Sequence, residues 1–292
     1  MAGILGCDRM IEKIIKLSEN SYFRTYIIEH SSYIQSGNRN TWQPERRPAI
    51  IILPGGGYQY IADSEDEPVI YHFLTKGYSC FSLHYSVGDK SVYPIPLYEL
   101  FKTIAYIRKN AIDWGIDSDA IAVCGFSAGA HLAGLGATQY CIKDIQGELN
   151  LEENLIKPNA AILCYPITNV TKLNDENPKR IAGWGTMLKN VDVRADVVAY
   201  VSDKMCPIFL WHTRTDGIVS VSQSIELIEK MYIKNVKFES HIFGEGYHGL
   251  STNDVLSNYK GAIQNGIIVP NVELWVDMCS NWINNIFNFN KL

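Results

Sequence analysis

Residues 120–129, Ala120-Ile121-Ala122-Val123-Cys124-Gly125-Phe126-Ser127-Ala128-Gly129, decide how this chain is read. Small and apolar residues run straight into Gly-Phe-Ser-Ala-Gly, and a helix-compatible segment, 130–140, follows. The pattern predicts a strand, a very tight turn and a helix. Gly125 and Gly129 flank the turn because a Cβ at either place would collide with the neighbouring strand or helix. Such a turn strains Ser127, exposes its hydroxyl and turns the Ala128 amide the same way, which is the geometry of a nucleophile elbow. Gly-x-Ser-x-Gly alone also occurs in plain turns. The apolar strand before it and the helix after it supply the context that the motif requires.

Outward from this stretch, residues 48–53 form a continuous apolar run of the kind buried on both faces of a parallel sheet, and it ends in Pro54-Gly55-Gly56-Gly57-Tyr58. Residues 78–85, 159–165, 207–211 and 236–243 read as further strands; 97–114, 221–232 and 272–287 read as helices. Ser64-Glu65-Asp66-Glu67-Pro68 opens another helix, with the Ser64 to Glu67 spacing of a capping box and acids in the first turn. Residues 9–18 carry a short helical pattern, 22–33 one or two strands able to pair antiparallel, and 35–47 and 142–158 are polar connections. The alternation predicts an α/β fold: a mostly parallel central sheet with helices on both faces. The economical organisation is a single domain over residues 1–292, with a small cap insertion at about 167–206.

Composition narrows the function. Of 292 residues 47% are apolar and 20% charged, enough for a large core, and the net charge of −5 argues against a nucleic-acid partner. No apolar run reaches the ~18 residues of a membrane span. Asp8, Arg9, Glu12 and Lys13 interrupt any secretory core near the start. The seven cysteines, Cys7, Cys80, Cys124, Cys141, Cys164, Cys206 and Cys279, are odd in number and lack Cys-x-x-Cys spacing. They are expected as buried free thiols, which points to a reducing, cytoplasmic location.

A serine hydroxyl is a weak nucleophile at neutral pH; it needs a base, usually His, and the base needs an orienting acid. In a parallel α/β sheet both belong just past the C-terminal ends of later strands. Asp216 follows the 207–211 strand in His212-Thr213-Arg214-Thr215-Asp216-Gly217, and His248 follows the 236–243 strand between glycines in Gly244-Glu245-Gly246-Tyr247-His248-Gly249. The catalytic candidates are therefore Ser127, Asp216 and His248, in the chain order Ser…Asp…His. His212 is the rival base; Asp203 and Glu245 are distant alternatives for the acid. His131, four residues after Ser127, is expected to pack or cap, His84 to line a pocket, and His30 to face solvent. The three glycines after 48–53 can turn amides inward, so Gly56, Gly57 and Ala128 are the candidate oxyanion donors. A phosphate-binding loop fits less well, because no Lys-Ser/Thr follows at the required spacing.

Leu53-Pro-Gly-Gly-Gly-Tyr58, Gly125-Phe-Ser-Ala-Gly129, His212-Thr-Arg-Thr-Asp216 and Tyr247-His-Gly-Leu250 together resemble the α/β-hydrolase superfamily, from about residue 46 onward. Within it the chain resembles the small esterases described as acetyl xylan esterase-like or xylanase-B-related sugar esterases. The resemblance implies a serine carboxylesterase acting on short acyl esters, acetyl groups on sugars or xylo-oligosaccharides among them. It implies no cofactor and no metal, and a small-molecule partner rather than nucleic acid or membrane. Tyr58 and Trp184 are candidate substrate contacts. Departures are Ala130 where the family usually has Gly, Pro54 where lipase-like relatives have His, and Gly217 after the acid. A serine aminopeptidase of the same fold and a non-catalytic hydrolase-fold binding protein are the alternative readings.

Overall fold

The computed structural model describes residues 10–28, 46–176, 182–257 and 269–289. Its strands are β1 (Met10–Lys16), β2 (Tyr22–Ile28), β3 (Arg47–Leu53), β4 (Ser79–His84), β5 (Ile116–Phe126), β6 (Ala160–Cys164), β7 (Ile208–Thr213) and β8 (Phe238–Phe243). They form one sheet in the order β1-β2-β4-β3-β5-β6-β7-β8. β1 pairs antiparallel with β2, and β2 antiparallel with β4; all pairs from β4 to β8 are parallel.

The period of two along each strand divides the core. Ile51, Leu53, Val123, Leu163 and Leu210 face one side. Ile50, Ile52, Cys124, Ile162 and Trp211 face the other. Because both faces are covered, residues 48–53, 120–126, 160–164 and 208–211 of these strands are apolar in succession and not alternating. The helices are α1 (Glu67–Thr75), α2 (Ile95–Lys109), α3 (Ala128–Gln139), α4 (Lys143–Leu149), α5 (Glu153–Ile156), α6 (Val170–Glu176), α7 (Thr186–Lys189), α8 (Ser222–Ile233) and α9 (Trp275–Ile286). Leu100 and Ile104 of α2, Leu132 and Leu135 of α3 and Leu227 of α8 pack on the first face. Val69 and Phe73 of α1 and Trp275, Cys279 and Ile283 of α9 pack on the second. Each such side chain contributes about 1.5–3 kcal/mol by leaving water. The expected fold, a mostly parallel sheet with helices on both faces, is the one observed.

Three local expectations are corrected. Residues 10–16 form an edge strand, not a helix: Ile11, Ile14 and Ile15 mimic helical spacing, but pairing with β2 satisfies the backbone and suits β-branched side chains. The polar stretch 142–158 contains the short helices α4 and α5. The capping box does not form. Residues 63–65 make a 3₁₀ turn, Asp66 precedes α1 without a side-chain cap bond, and Glu65 turns into the interior. Cys80, Cys124, Cys164, Cys206 and Cys279 are buried free thiols, as expected, whereas Cys141 is a free thiol only half-buried; Cys7, His30 and residues 29–45 lie outside the described residues. No helix among the described residues is long and apolar enough to cross a membrane.

Between β6 and β7 the chain leaves the sheet for α6, α7 and two 3₁₀ turns, Val193–Ala195 and Val198–Tyr200. This excursion is anchored from within: Asp196 accepts from the Val170 amide (2.5 Å) and the Thr171 hydroxyl (3.1 Å).

Candidate active site

Four strands end at one place. β3 delivers the glycine loop, β5 the serine, β7 the aspartate loop and β8 the histidine loop. At the end of β5, Ser127 adopts φ 51° and ψ −114°, a conformation that L-residues avoid and that the surroundings must enforce. Two enforcers are visible. The Ser127 amide donates to the Cys164 carbonyl of β6 (3.0 Å), and the Ser127 carbonyl accepts from His131 of α3 (3.0 Å). The flanking glycines are obligatory: a Cβ on Gly125 would lie 2.1 Å from the Gly129 carbonyl oxygen, and one on Gly129 would lie 1.9 Å from that of Leu53.

Ser127 Oγ lies 2.8 Å from His248 Nε2, and His248 Nδ1 lies 2.7 Å from Asp216 Oδ2. With the Nδ1–H donated to the carboxylate, Nε2 is free to accept from the serine hydroxyl. The β8 loop is held against the β7 loop by its own glycine. The Gly246 carbonyl accepts from Thr213 (3.1 Å) and Thr215 (2.9 Å), and the Gly246 amide donates to Thr215 Oγ1 (2.9 Å). A Cβ on Gly246 would meet Thr213 at 2.6 Å. Beyond His248, the Ser251 carbonyl accepts from the Trp275 indole of α9 (2.8 Å).

The Asp216 side chain is fully buried and meets four donors. Oδ1 accepts from the amides of Ile218 (2.8 Å) and Val219 (3.0 Å), and Oδ2 accepts from His248 and from His212 Nε2 (3.2 Å). Burial opposes its ionisation, but the bonds from His212, His248 and the Ile218 amide outweigh it and hold the carboxyl well below the usual range. His212 is thus a second imidazole on the acid, itself fully buried, with Nδ1 2.7 Å from Ser224 Oγ. It is not a base for Ser127. Asp203 and Glu245 are exposed, and the carboxylate that meets His248 Nδ1 is that of Asp216.

The glycine loop carries three consecutive positive φ angles, Gly56 (114°), Gly57 (60°) and Tyr58 (56°). The Gly55 amide is taken by Glu65 Oε2 (2.7 Å). Among the described residues, the amides of Gly56 and Gly57 make no backbone hydrogen bond, and Ala128 opens α3, where the amide has no helical partner.

Of the expected substrate contacts, Trp184 stands at the site: its indole lies against Gly57, 2.9 Å from where a Cβ would be, and is partly exposed. Tyr58 is corrected. Its side chain is fully buried and its hydroxyl lies 2.8 Å from His131 Nδ1. His131 Nε2 donates to the Ala195 carbonyl (2.6 Å), so Nδ1 accepts from Tyr58, and burial pushes the imidazole down to about 4 despite that carbonyl. Tyr58 therefore ties the glycine loop to α3 and the excursion, a link strengthened by the Gly185 amide donating to the Gly57 carbonyl (2.8 Å). His84, expected in a pocket, instead pairs with Asp66 (3.0 Å) and Tyr22 (3.0 Å).

Sequence reasoning missed Glu65, Tyr165 and the role of His212. Glu65 sat in an acidic run that suits a helix start, and Tyr165 in a strand. Nothing in their spacing signals that they meet.

The profile of the BD-FAE family matches residues 39–231. The chain is 27% identical over 222 residues to the endo-1,4-β-xylanase B of Butyrivibrio fibrisolvens, covering 74% of this chain and 35% of that protein. It spans 35% to 51% of the length of the first curated relatives it matches. Among solved structures, an α/β-hydrolase enzyme from a deep-sea metagenome library is 28% identical, with TM-score 0.74 over 96% of this chain and 98% of that one. An acetyl ester-xyloside bifunctional hydrolase from Caldicellulosiruptor lactoaceticus is 26% identical, with TM-score 0.72 over 98% and 99%.

Proposed function

The chain belongs to the BD-FAE family and has an α/β-hydrolase fold, and from that premise we propose that it is a serine carboxylesterase acting on short acyl esters, acetyl foremost, carried by sugars such as xylo-oligosaccharides. The observation that carries the chemistry is the chain of contacts from Ser127 Oγ to His248 (2.8 Å) to Asp216 (2.7 Å) on a strained elbow. The sugar-ester substrate is supported by the names of relatives, a xylanase and an acetyl ester-xyloside hydrolase.

Ser127 Oγ attacks the ester carbonyl carbon while His248 Nε2 takes the hydroxyl proton. Asp216 holds His248 in the Nδ1–H tautomer and stabilises the imidazolium. The amides of Gly56, Gly57 and Ala128 receive the oxyanion; Gly55 is excluded, since its amide is held by Glu65. The tetrahedral intermediate collapses, the C–O bond to the sugar breaks, and His248 returns the proton to the departing alkoxide. Water then attacks the acyl-serine, its proton passing to His248 and on to Ser127 as the free acid leaves. Trp184, whose indole lies against Gly57, is the candidate contact for the substrate.

The test is hydrolysis of p-nitrophenyl acetate, butyrate and octanoate, and acetate release from acetylated xylo-oligosaccharides, by wild type and Ser127→Ala. Acetate is expected to turn over fastest, with Ser127→Ala inactive on every substrate. An inactive wild type, or an unaffected Ser127→Ala, would overturn the reading.

A further inference from the structure

Glu65 is a buried carboxyl that the mechanism above does not use. Among the described residues it forms no ion pair with a lysine or arginine. Among the described residues its two hydrogen-bond partners are donors: the Gly55 amide to Oε2 (2.7 Å) and the Tyr165 hydroxyl to Oε1 (2.6 Å). Burying a carboxylate on so few bonds costs several kcal/mol, so its position needs a reason.

The reason lies in what those partners hold. Gly55 opens the glycine loop, and a Cβ there would meet both Glu65 Oε2 (2.6 Å) and Ser127 Cβ (3.0 Å). The Tyr165 ring stands edge-on to the His248 imidazole, 5.0 Å between centres. The Tyr165 hydroxyl also accepts from the Ser251 amide (3.0 Å), and the Ser251 hydroxyl donates to the Ser64 carbonyl (2.6 Å). Residues 64–65 therefore bind the glycine loop, the end of β6 and the histidine loop into one ring of hydrogen bonds.

We propose that Glu65 is a positioning residue for the Ser127 esterase, a second buried carboxylate that sets the glycine loop against the histidine loop and favours the His248 imidazolium formed in each half-reaction. Asp216 orients His248 through Nδ1; Glu65 acts on it through space. Burial raises the Glu65 carboxyl above its usual range, while the Tyr165 hydroxyl, a charge on His248 and the Gly55 amide oppose the rise. The other titratable groups around the pair are Tyr85 at the end of β4, Asp66 with His84, and His212 behind Asp216. Neither Tyr85 nor Tyr165 supplies a cation, and burial holds both phenols protonated.

The experiment is Glu65→Gln, an isostere that still accepts from Gly55, measured against wild type for the pH profile of kcat/KM and for Tm. Removing an anion makes protonation of His248 less favourable. The acid limb is therefore expected to move down by about 0.5–1 pH unit, with the plateau about 10-fold lower. The sign for stability is opposite. A carboxyl whose folded pKa is raised destabilises the fold above its unfolded pKa, once it ionises. Glu65→Gln is thus expected to melt no lower than wild type at pH 7, the gap closing below about pH 4. Tyr165→Phe keeps the ring against His248 but removes one donor from Glu65, and is expected to move the limb the same way by less. It also serves if Glu65→Gln does not fold. This inference rests on the Ser127 esterase reading, so Ser127→Ala is run alongside. An inactive Ser127→Ala with an unmoved acid limb in both variants overturns the role of Glu65 alone. An active Ser127→Ala overturns the esterase reading and this inference with it.

Discussion

Asp216 and Glu65 are both buried carboxyls that act on His248, yet their surroundings push them in opposite directions. Asp216, in the loop after β7, is surrounded by four donors, two imidazoles and two amides, and is held ionised. Glu65, in the turn before α1, has two, and burial raises it. Burial alone does not set the charge of a carboxyl; the number and kind of donors around it does. The β7–β8 side of the site is saturated with hydrogen bonds and built to orient. The β3–α1 side is sparsely satisfied and built to be sensitive.

The contrast can be broken from either side. Ser127→Ala removes the group that both sides serve, and a loss in kcat of about 10⁶ is expected in ester hydrolysis assays. Asp216→Asn keeps the shape of the saturated side but reverses the tautomer of His248; a loss of about 10⁴ is expected under the same assay. A loss below tenfold would mean that orientation does not come from Asp216.

His212→Leu takes one donor from Asp216 and leaves the Val219 carbonyl without its partner (3.1 Å). A hydrogen bond to a charged group contributes about 1.5–3 kcal/mol, so kcat/KM should fall about 10- to 100-fold. His212→Gln, which keeps a donor at the Nε2 position, should recover most of it. Equal losses in the two variants would make His212 a packing residue only.

Tyr58→Phe is the smallest change. It removes the bond to His131 but no contact with reacting atoms. A loss of stability of about 1 kcal/mol, read as a lower melting temperature, is expected with kcat/KM changed less than threefold. A large loss of activity would show that the glycine loop depends on this tie as much as on Glu65.

Much of this molecule was legible. The strand runs 48–53 and 159–165 stand out because burial on both faces leaves no polar position. That Ser127, Asp216 and His248 meet was legible because a parallel sheet gathers the loops after its strand ends at one edge. Residues 10–16 misled, because three isoleucines at helical spacing carry no record of the antiparallel partner that decides their state. Ser64 to Glu67 misled for the same kind of reason: local spacing offered a helix cap, while Gly55 and Tyr165 offered Glu65 better partners.

The sequence by itself determined the alternation of the parallel strands with their main helices, the elbow at Ser127 and the identity of the three groups in line, because apolar periodicity and glycine placement are local physics. Only the tertiary structure decided that His212 backs Asp216, that Tyr58 is a buried tie, and that Glu65 and Tyr165, 100 residues apart, meet beside His248. Those are contacts between side chains from different strand ends, and the sheet order that creates them is set by packing across the whole core.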